Sequence, residues 1–157
     1  MNGLKQMWER LTGMLSGTVF ESIVQLATRI ALAGIFWRSY KTKVVEDTLL
    51  QIDETQYFIF ENEFSGLPIP TDLAVPMATY AEFFFPILLV LGLFTRFSAL
   101  ALMIMAMVIQ LFVFPDAAHF FGWAITVLAL GGFLLSRGAG LFSLDALLAK
   151  FAGSKAE

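Results

Sequence analysis

Four apolar runs, each long enough to cross a bilayer, constrain this chain more than any other feature. They are Phe20–Tyr40, Leu73–Leu93, Phe97–Phe114 and Ala118–Ser136. At 1.5 Å per residue, about 20 helical residues cover the roughly 30 Å of a bilayer's hydrocarbon. A span in lipid must satisfy its own backbone groups, and none of the four runs alternates as a barrel strand would, so helices are predicted. Only Phe94-Thr95-Arg96 separates the second run from the third, and a short turn with Pro115 and Asp116 separates the third from the fourth. Both links force antiparallel neighbours. The predicted fold class is all-α: a polytopic membrane protein, residues 1–157 forming one four-transmembrane-helix bundle.

Composition agrees. The chain is 58% hydrophobic and 15% charged, against about 25% charged in soluble domains. A net charge of −3 offers no basic face, so no nucleic-acid partner is expected. With no cysteine and one histidine, the chain can build neither a thiolate site nor an all-imidazole metal cluster, and no metal is expected. Met103 and Met107 share a helix face while Met105 points elsewhere, which suits packing better than soft-metal ligation.

Two amphipathic pieces flank the runs. In residues 1–18, Leu4, Met7, Trp8, Leu11, Met14 and Leu15 fall at helical spacing opposite Lys5, Glu9 and Arg10. In residues 143–153, Ser143 can cap a helix striped by Leu144, Leu147, Leu148 and Phe151, after a break at Gly138 and Gly140. Both are expected to lie in the membrane interface. No compact apolar core precedes a cleavage site near the start, so the first run reads as a retained span and not a signal peptide. Lys5, Arg10, Arg96, Arg137, Lys150 and Lys155 fall on one side of a four-span arrangement, against Arg38, Lys41 and Lys43 on the other. The excess predicts a multi-pass protein of the bacterial inner (plasma) membrane with both termini cytoplasmic.

The outer loop, residues 41–72, is acidic, with Glu46, Asp47, Asp53, Glu54, Glu61, Glu63 and Asp72. Val44, Val45, Leu49 and Ile52 suggest a short amphipathic helix, and Tyr57-Phe58-Ile59-Phe60 a cap on the bundle or the membrane. Pro76 fits a first helical turn.

Two charges interrupt the apolar runs. Arg29 stands in the first and Glu82 in the second, where a lone charge costs about 2.5–3.5 kcal/mol on insertion scales. Counted from the expected membrane boundaries both lie at similar depth, so they are expected to pair and to form a ligand or proton site. Pro86 has no N–H to give the Glu82 carbonyl, which adds a free acceptor there. Gln110, His119 and Trp123 form a second candidate group nearer the outer face: His119 can exchange protons and Trp123 can stack on a ring.

From Glu82 to Asp145 the chain resembles the DoxX family of small four-span membrane proteins. The carrying residues are Glu82, then 88–96 (LLVLGLFTR) and 137–145 (RGAGLFSLD), with Arg29 and Lys41 fitting the family's opening pattern. Residues 60–64 with Pro68 resemble the outer loop of a subgroup that accompanies metal-stress or peptide-modification operons. The chain departs from the common pattern at Ala139, where Pro is usual, and at 37–40, where a Ser-Gly pair is usual. The resemblance implies membrane redox chemistry, since such proteins are similar to a subunit of an archaeal thiosulfate:quinone oxidoreductase. The expected function is binding of a quinone or another lipid-like ligand in support of a membrane redox or stress-response partner. Any enzymatic role would be as part of a membrane oxidoreductase complex. No cofactor is expected to be built in beyond such a quinone. The lipid bilayer, a redox partner protein and a homo-oligomer are the expected partners. The competing readings are a non-catalytic anchor or assembly factor and a small-molecule or metal-related transporter.

Overall fold

The computed structural model describes residues 2–153. The side chains of Leu4 and Leu11, and Lys155, named above, lie outside the described residues. The elements are α1 (Asn2–Leu15), α2 (Thr18–Lys41), α3 (Thr55–Asn62), α4 (Thr71–Leu91), α5 (Thr95–Phe112), α6 (Ala117–Arg137) and α7 (Leu144–Gly153). The described residues are helix and loop, with four helices, α2, α4, α5 and α6, long and apolar enough to span a membrane. The all-α four-helix expectation therefore holds.

The four spans pack as a closed antiparallel ring in the order α2, α4, α5, α6, with α6 returning to α2. Leu32, Ala33, Phe36, Leu89, Ala99, Leu102, Ala106, Val127 and Leu134 are its buried centre. Small residues set the closeness of α5 and α6. A Cβ on Gly131 would stand 2.5 Å from Met103 Cγ, so Met103 serves as packing. Large apolar side chains on the outside of the ring, such as Ile30, Phe84, Phe97 and Ile104, remain exposed, as suits contact with lipid.

Local chemistry ends each helix. At the end of α4 the N–H of Gly92 bonds the Leu89 carbonyl (3.0 Å) and that of Leu93 bonds the Leu88 carbonyl (2.9 Å). Gly92 itself has φ +67°, which together make a Schellman stop. The next residue but one, Phe94, also has positive φ (50°). Asp145 of α7 holds it there: its Oδ1 accepts the Phe94 N–H (2.8 Å) and its Oδ2 the Thr95 N–H (3.0 Å). A carboxylate thus caps the start of α5 from a distant segment. At the start of α7 the Ser143 hydroxyl accepts the Ala146 N–H. Asp116 caps α6 through the His119 N–H (2.7 Å), and residues 120–124 of α6 form a π-helical turn.

Two local expectations need correction. Residues 44–52 are not a helix. Asp47 takes φ +64°, Val45 N–H bonds the Gln51 carbonyl, Asp53 N–H bonds the Lys43 carbonyl, and Val44 bridges Ile52. A left-handed residue, which Asp tolerates, turns the chain back before a helix can propagate. The loop helix instead begins after Asp53, whose carboxylate accepts from Thr55, and Phe60 buries it against Ala74 and Val75 of α4. Nor is Pro76 in a first turn. Helix α4 starts at Thr71, after an N-cap at Pro70, so Pro76 falls in the second turn and deprives the Asp72 carbonyl of a donor.

Candidate functional site

The four spans do not sit flush. Ser39 of α2 meets Glu82 of α4, and Arg29 of α2 meets Leu89 and Val90. Relative to aligned ends the helices are shifted by about ten residues, roughly 15 Å. The first turns of α2 therefore extend past α4 and are covered by the 138–143 segment. The first turns of α4 extend past α2 and are covered by α3.

That shift separates the two intramembrane charges, and the expected Arg29–Glu82 contact is not formed. Arg29, fully buried, bonds backbone carbonyls alone. Nη1 donates to Leu89 and Val90 (3.3 Å each) and Nη2 to Phe142 (2.5 Å). Its Nε has no partner among the described residues. Equal depth follows only if the ends of the apolar runs are level, and the packing of α2 on α4 offsets them.

Glu82 finds its partners at the loop end. Its side chain is 3% exposed, with Oε2 2.8 Å from Lys43 Nζ, and Oε1 accepts from the Ser39 hydroxyl at 3.1 Å. Lys43 also reaches Ser39 Oγ at 2.8 Å, so amine, hydroxyl and carboxylate form a closed set. The placement of Lys43 has a local cause. The chain turns immediately after α2, with Lys43 N–H on the Tyr40 carbonyl, and folds the amine back over the last carbonyls of the helix, where a cation is favoured. Aromatic rings border this pair. Phe83 stacks on Trp37 at 5.7 Å between centroids and lies 5.1 Å from Tyr40 and 5.0 Å from Phe84. The Tyr40 hydroxyl is tied to the Leu49 carbonyl.

Gln110, His119 and Trp123 do come together. The Gln110 amide nitrogen donates to the carbonyls of Phe114 (2.9 Å) and Asp116 (3.0 Å). Its oxygen therefore faces His119 Nδ1 at 2.7 Å, which assigns the ring proton to Nδ1 and leaves Nε2 as an acceptor. The imidazole lies between Phe114 (4.8 Å) and Trp123 (5.1 Å), and Trp123 meets Phe36 edge-on.

Chemically, the Glu82 set can hold or pass one proton between carboxylate and amine over 2.8 Å, and Lys43 can donate to a ligand oxygen by giving up one of its bonds to Ser39. Sequence reasoning missed Ser39 and Lys43. In sequence Lys43 is one more loop charge, and only the turn after Lys41 reveals that it points inward. Among the described residues no cluster of three or more His, Asp and Glu could hold a metal ion.

Four packed apolar helices with ionisable groups sealed between them define a small polytopic integral membrane protein. A sequence model of one such family, DoxX, matches residues 24–115, more than half of the chain, from inside α2 to just beyond α5. The chain belongs to the DoxX family. No curated protein and no solved structure gave a match. The matched stretch takes in Arg29, Ser39, Lys43, Glu82 and Gln110, while His119, Trp123 and the segment that seats Arg29 lie outside it.

Proposed function

We propose that the protein binds a quinone, or another flat lipid-like molecule, at the loop end of the bundle and serves a membrane redox or stress-response partner. The observation that carries this is the buried Lys43–Glu82 pair beside the Trp37, Tyr40 and Phe83 rings. Sealing two charges in an apolar interior is expensive, and a hydrophobic pair of similar size would pack at least as stably. Retained ionisable groups inside a membrane bundle mark ligand or proton sites by default. A quinone needs what is grouped here: donors for its carbonyl oxygens, a carboxylate for the proton that accompanies reduction, and aromatic surface for its ring. The matching acceptor at His119 Nε2, beside Trp123, would give a second polar contact at the same end of the bundle. Arg29, at the far end, belongs to a different role. Charge supports an inner-membrane orientation with cytoplasmic termini. With Lys43 paired to Glu82, the loop face keeps Arg38 and Lys41 against Lys5, Arg10, Arg96, Arg137 and Lys150 on the other face, a Lys/Arg excess of the kind that the positive-inside rule reads as cytoplasmic.

One observation favours a second reading, a membrane anchor or assembly factor. Both Glu82 oxygens already have protein partners, so the pair can act simply to fix the register of α2 on α4. The two are separated by mass spectrometry of lipid extracts from protein purified out of native membranes in mild detergent. Ligand binding predicts a near-stoichiometric quinone that is lost from the folded fraction of Glu82→Gln. Bulk phospholipid alone, in both proteins, would leave the anchor.

A further inference from the structure

At the opposite end of the bundle from Glu82, a cavity of about 360 Å³ opens between the start of α5 and the 138–146 segment, lined by Arg96, Gly138, Ala139, Gly140, Ser143 and Asp145 among others. Arg96 lies 3.6–3.9 Å from where a Cβ on Gly138 would stand and gives one guanidinium nitrogen to the Ser136 carbonyl; its side chain is exposed and lines the cavity. The N–H groups of Ala139 and Gly140 have no partner among the described residues. The neighbouring amides at 138 and 141 are taken by the Leu134 carbonyl and Ser22 Oγ. Asp145, the one carboxylate in the wall, has both oxygens committed to the Phe94 and Thr95 N–H groups. Behind the wall lies Arg29, which makes no ion pair among the described residues. It is seated against Gly92 and Ser143, and its Nε is buried without a partner. Asp145 keeps its negative charge, so the wall alone is balanced; Arg29 behind it makes two guanidinium groups against one carboxylate, an excess of one positive charge at this end of the bundle.

We infer that this cavity binds the phosphate of an anionic phospholipid headgroup, with Arg96 as the principal donor, the 139–140 amides as further donors and Arg29 supplying field from behind. The lipid source follows from the residues next to this lining in sequence, an apolar rim. Phe94 and Phe97 on either side of Arg96, and Leu141 and Phe142 between Gly140 and Ser143, are all about half exposed or more, so apolar surface for acyl chains adjoins the polar wall. A free anion would need none of that apolar rim. Arginine paired with phosphate is among the stronger charge-assisted contacts.

The test is native mass spectrometry of the full-length, delipidated protein titrated with phosphatidylglycerol or phosphatidylcholine. Phosphatidylglycerol should be retained in clear preference. Arg96→Gln should weaken that retention about 10-fold, one charge-assisted hydrogen bond in scale. Lys150→Gln removes the same charge from α7 at the same end of the bundle and should leave retention as in the parent protein. Melting temperatures serve as the folding control, and the exposed position of Arg96 predicts little change. Equal retention of the two lipids, an Arg96→Gln protein that binds as the parent does, or an equal loss in Lys150→Gln would overturn the assignment. Displacement of the lipid by millimolar inorganic phosphate would overturn the lipid source in favour of a free anion.

Discussion

Replacing Lys43 with Met isolates the pair at the loop end. The substitution keeps most of the aliphatic stem and removes the amine 2.8 Å from Glu82 Oε2. The Glu82 side chain is only 3% exposed and that of Lys43 12%, so water cannot replace the lost partner without opening the contact between α2 and α4. Ser39 still donates to Oε1, but the carboxylate remains a buried and unpaired charge. Breaking such a pair from one side costs about 3–5 kcal/mol, and the slight exposure of Lys43 with the surviving Ser39 bond points to the lower end. Adding Glu82→Gln to Lys43→Met removes the stranded charge and should return most of that loss. The assay is reversible unfolding of the four proteins of this cycle in mixed micelles at increasing denaturing detergent. Arg29→Met provides the contrast. Because Arg29 bonds only carbonyls, its cost should add to that of Glu82→Gln with no coupling. The reasoning fails if Lys43→Met costs less than about 1 kcal/mol, or if Glu82→Gln rescues Arg29→Met instead; the breaking of a well-buried pair should exceed that threshold.

Other consequences concern the joints. In Gly92→Ala the new Cβ would meet both the Arg29 guanidinium and Ser143 at a residue with φ +67°. Left-handed strain and overpacking together should cost about 2–4 kcal/mol, measured as a fall in melting temperature, and an unchanged melting temperature would refute the seat described for Arg29. Asp145→Ala removes both acceptors from the Phe94 and Thr95 amides, a cap loss of about 0.5–2 kcal/mol. Hydrogen exchange should quicken at those two amides first. In the loop between α2 and α4, the Thr55 hydroxyl and N–H hold the Asp53 carboxyl below its usual range. A depressed folded value contributes stability above the ordinary carboxylate range and loses it as pH falls through the folded value. Thr55→Val should therefore move the Asp53 titration, followed by NMR, upward toward the ordinary value; no movement would show that the hydroxyl bond is not formed in solution.

The amino-acid sequence by itself determined that this chain forms four spanning helices. Hydropathy and the two short links around 94–96 and 115–116 are local properties, and lipid permits few alternatives to a helix. It also brought Gln110, His119 and Trp123 into one group, because α5 and α6 are joined by a tight turn and i, i+4 neighbours on α6 share a face. What the tertiary structure alone decided is the partner of each buried charge. Arg29 and Glu82 lie 53 positions apart on helices connected by a long loop, so no local signal fixes their relative height. The shift of α2 against α4 is set by what covers their protruding ends: the 138–143 segment over Ser22, Gln25 and Arg29, and α3 over Ala74 and Val75. Polar groups at those ends are satisfied only in that register. Gln25 donates to the Arg137 carbonyl, Ser22 accepts the Leu141 N–H, and a Cβ at Gly140 would strike Gln25. Helix identity follows from composition along one stretch of chain. Helix height follows from pairing buried groups of Ser22, Gln25 and Arg29 with partners more than a hundred residues away, a condition that only the assembled fold can meet.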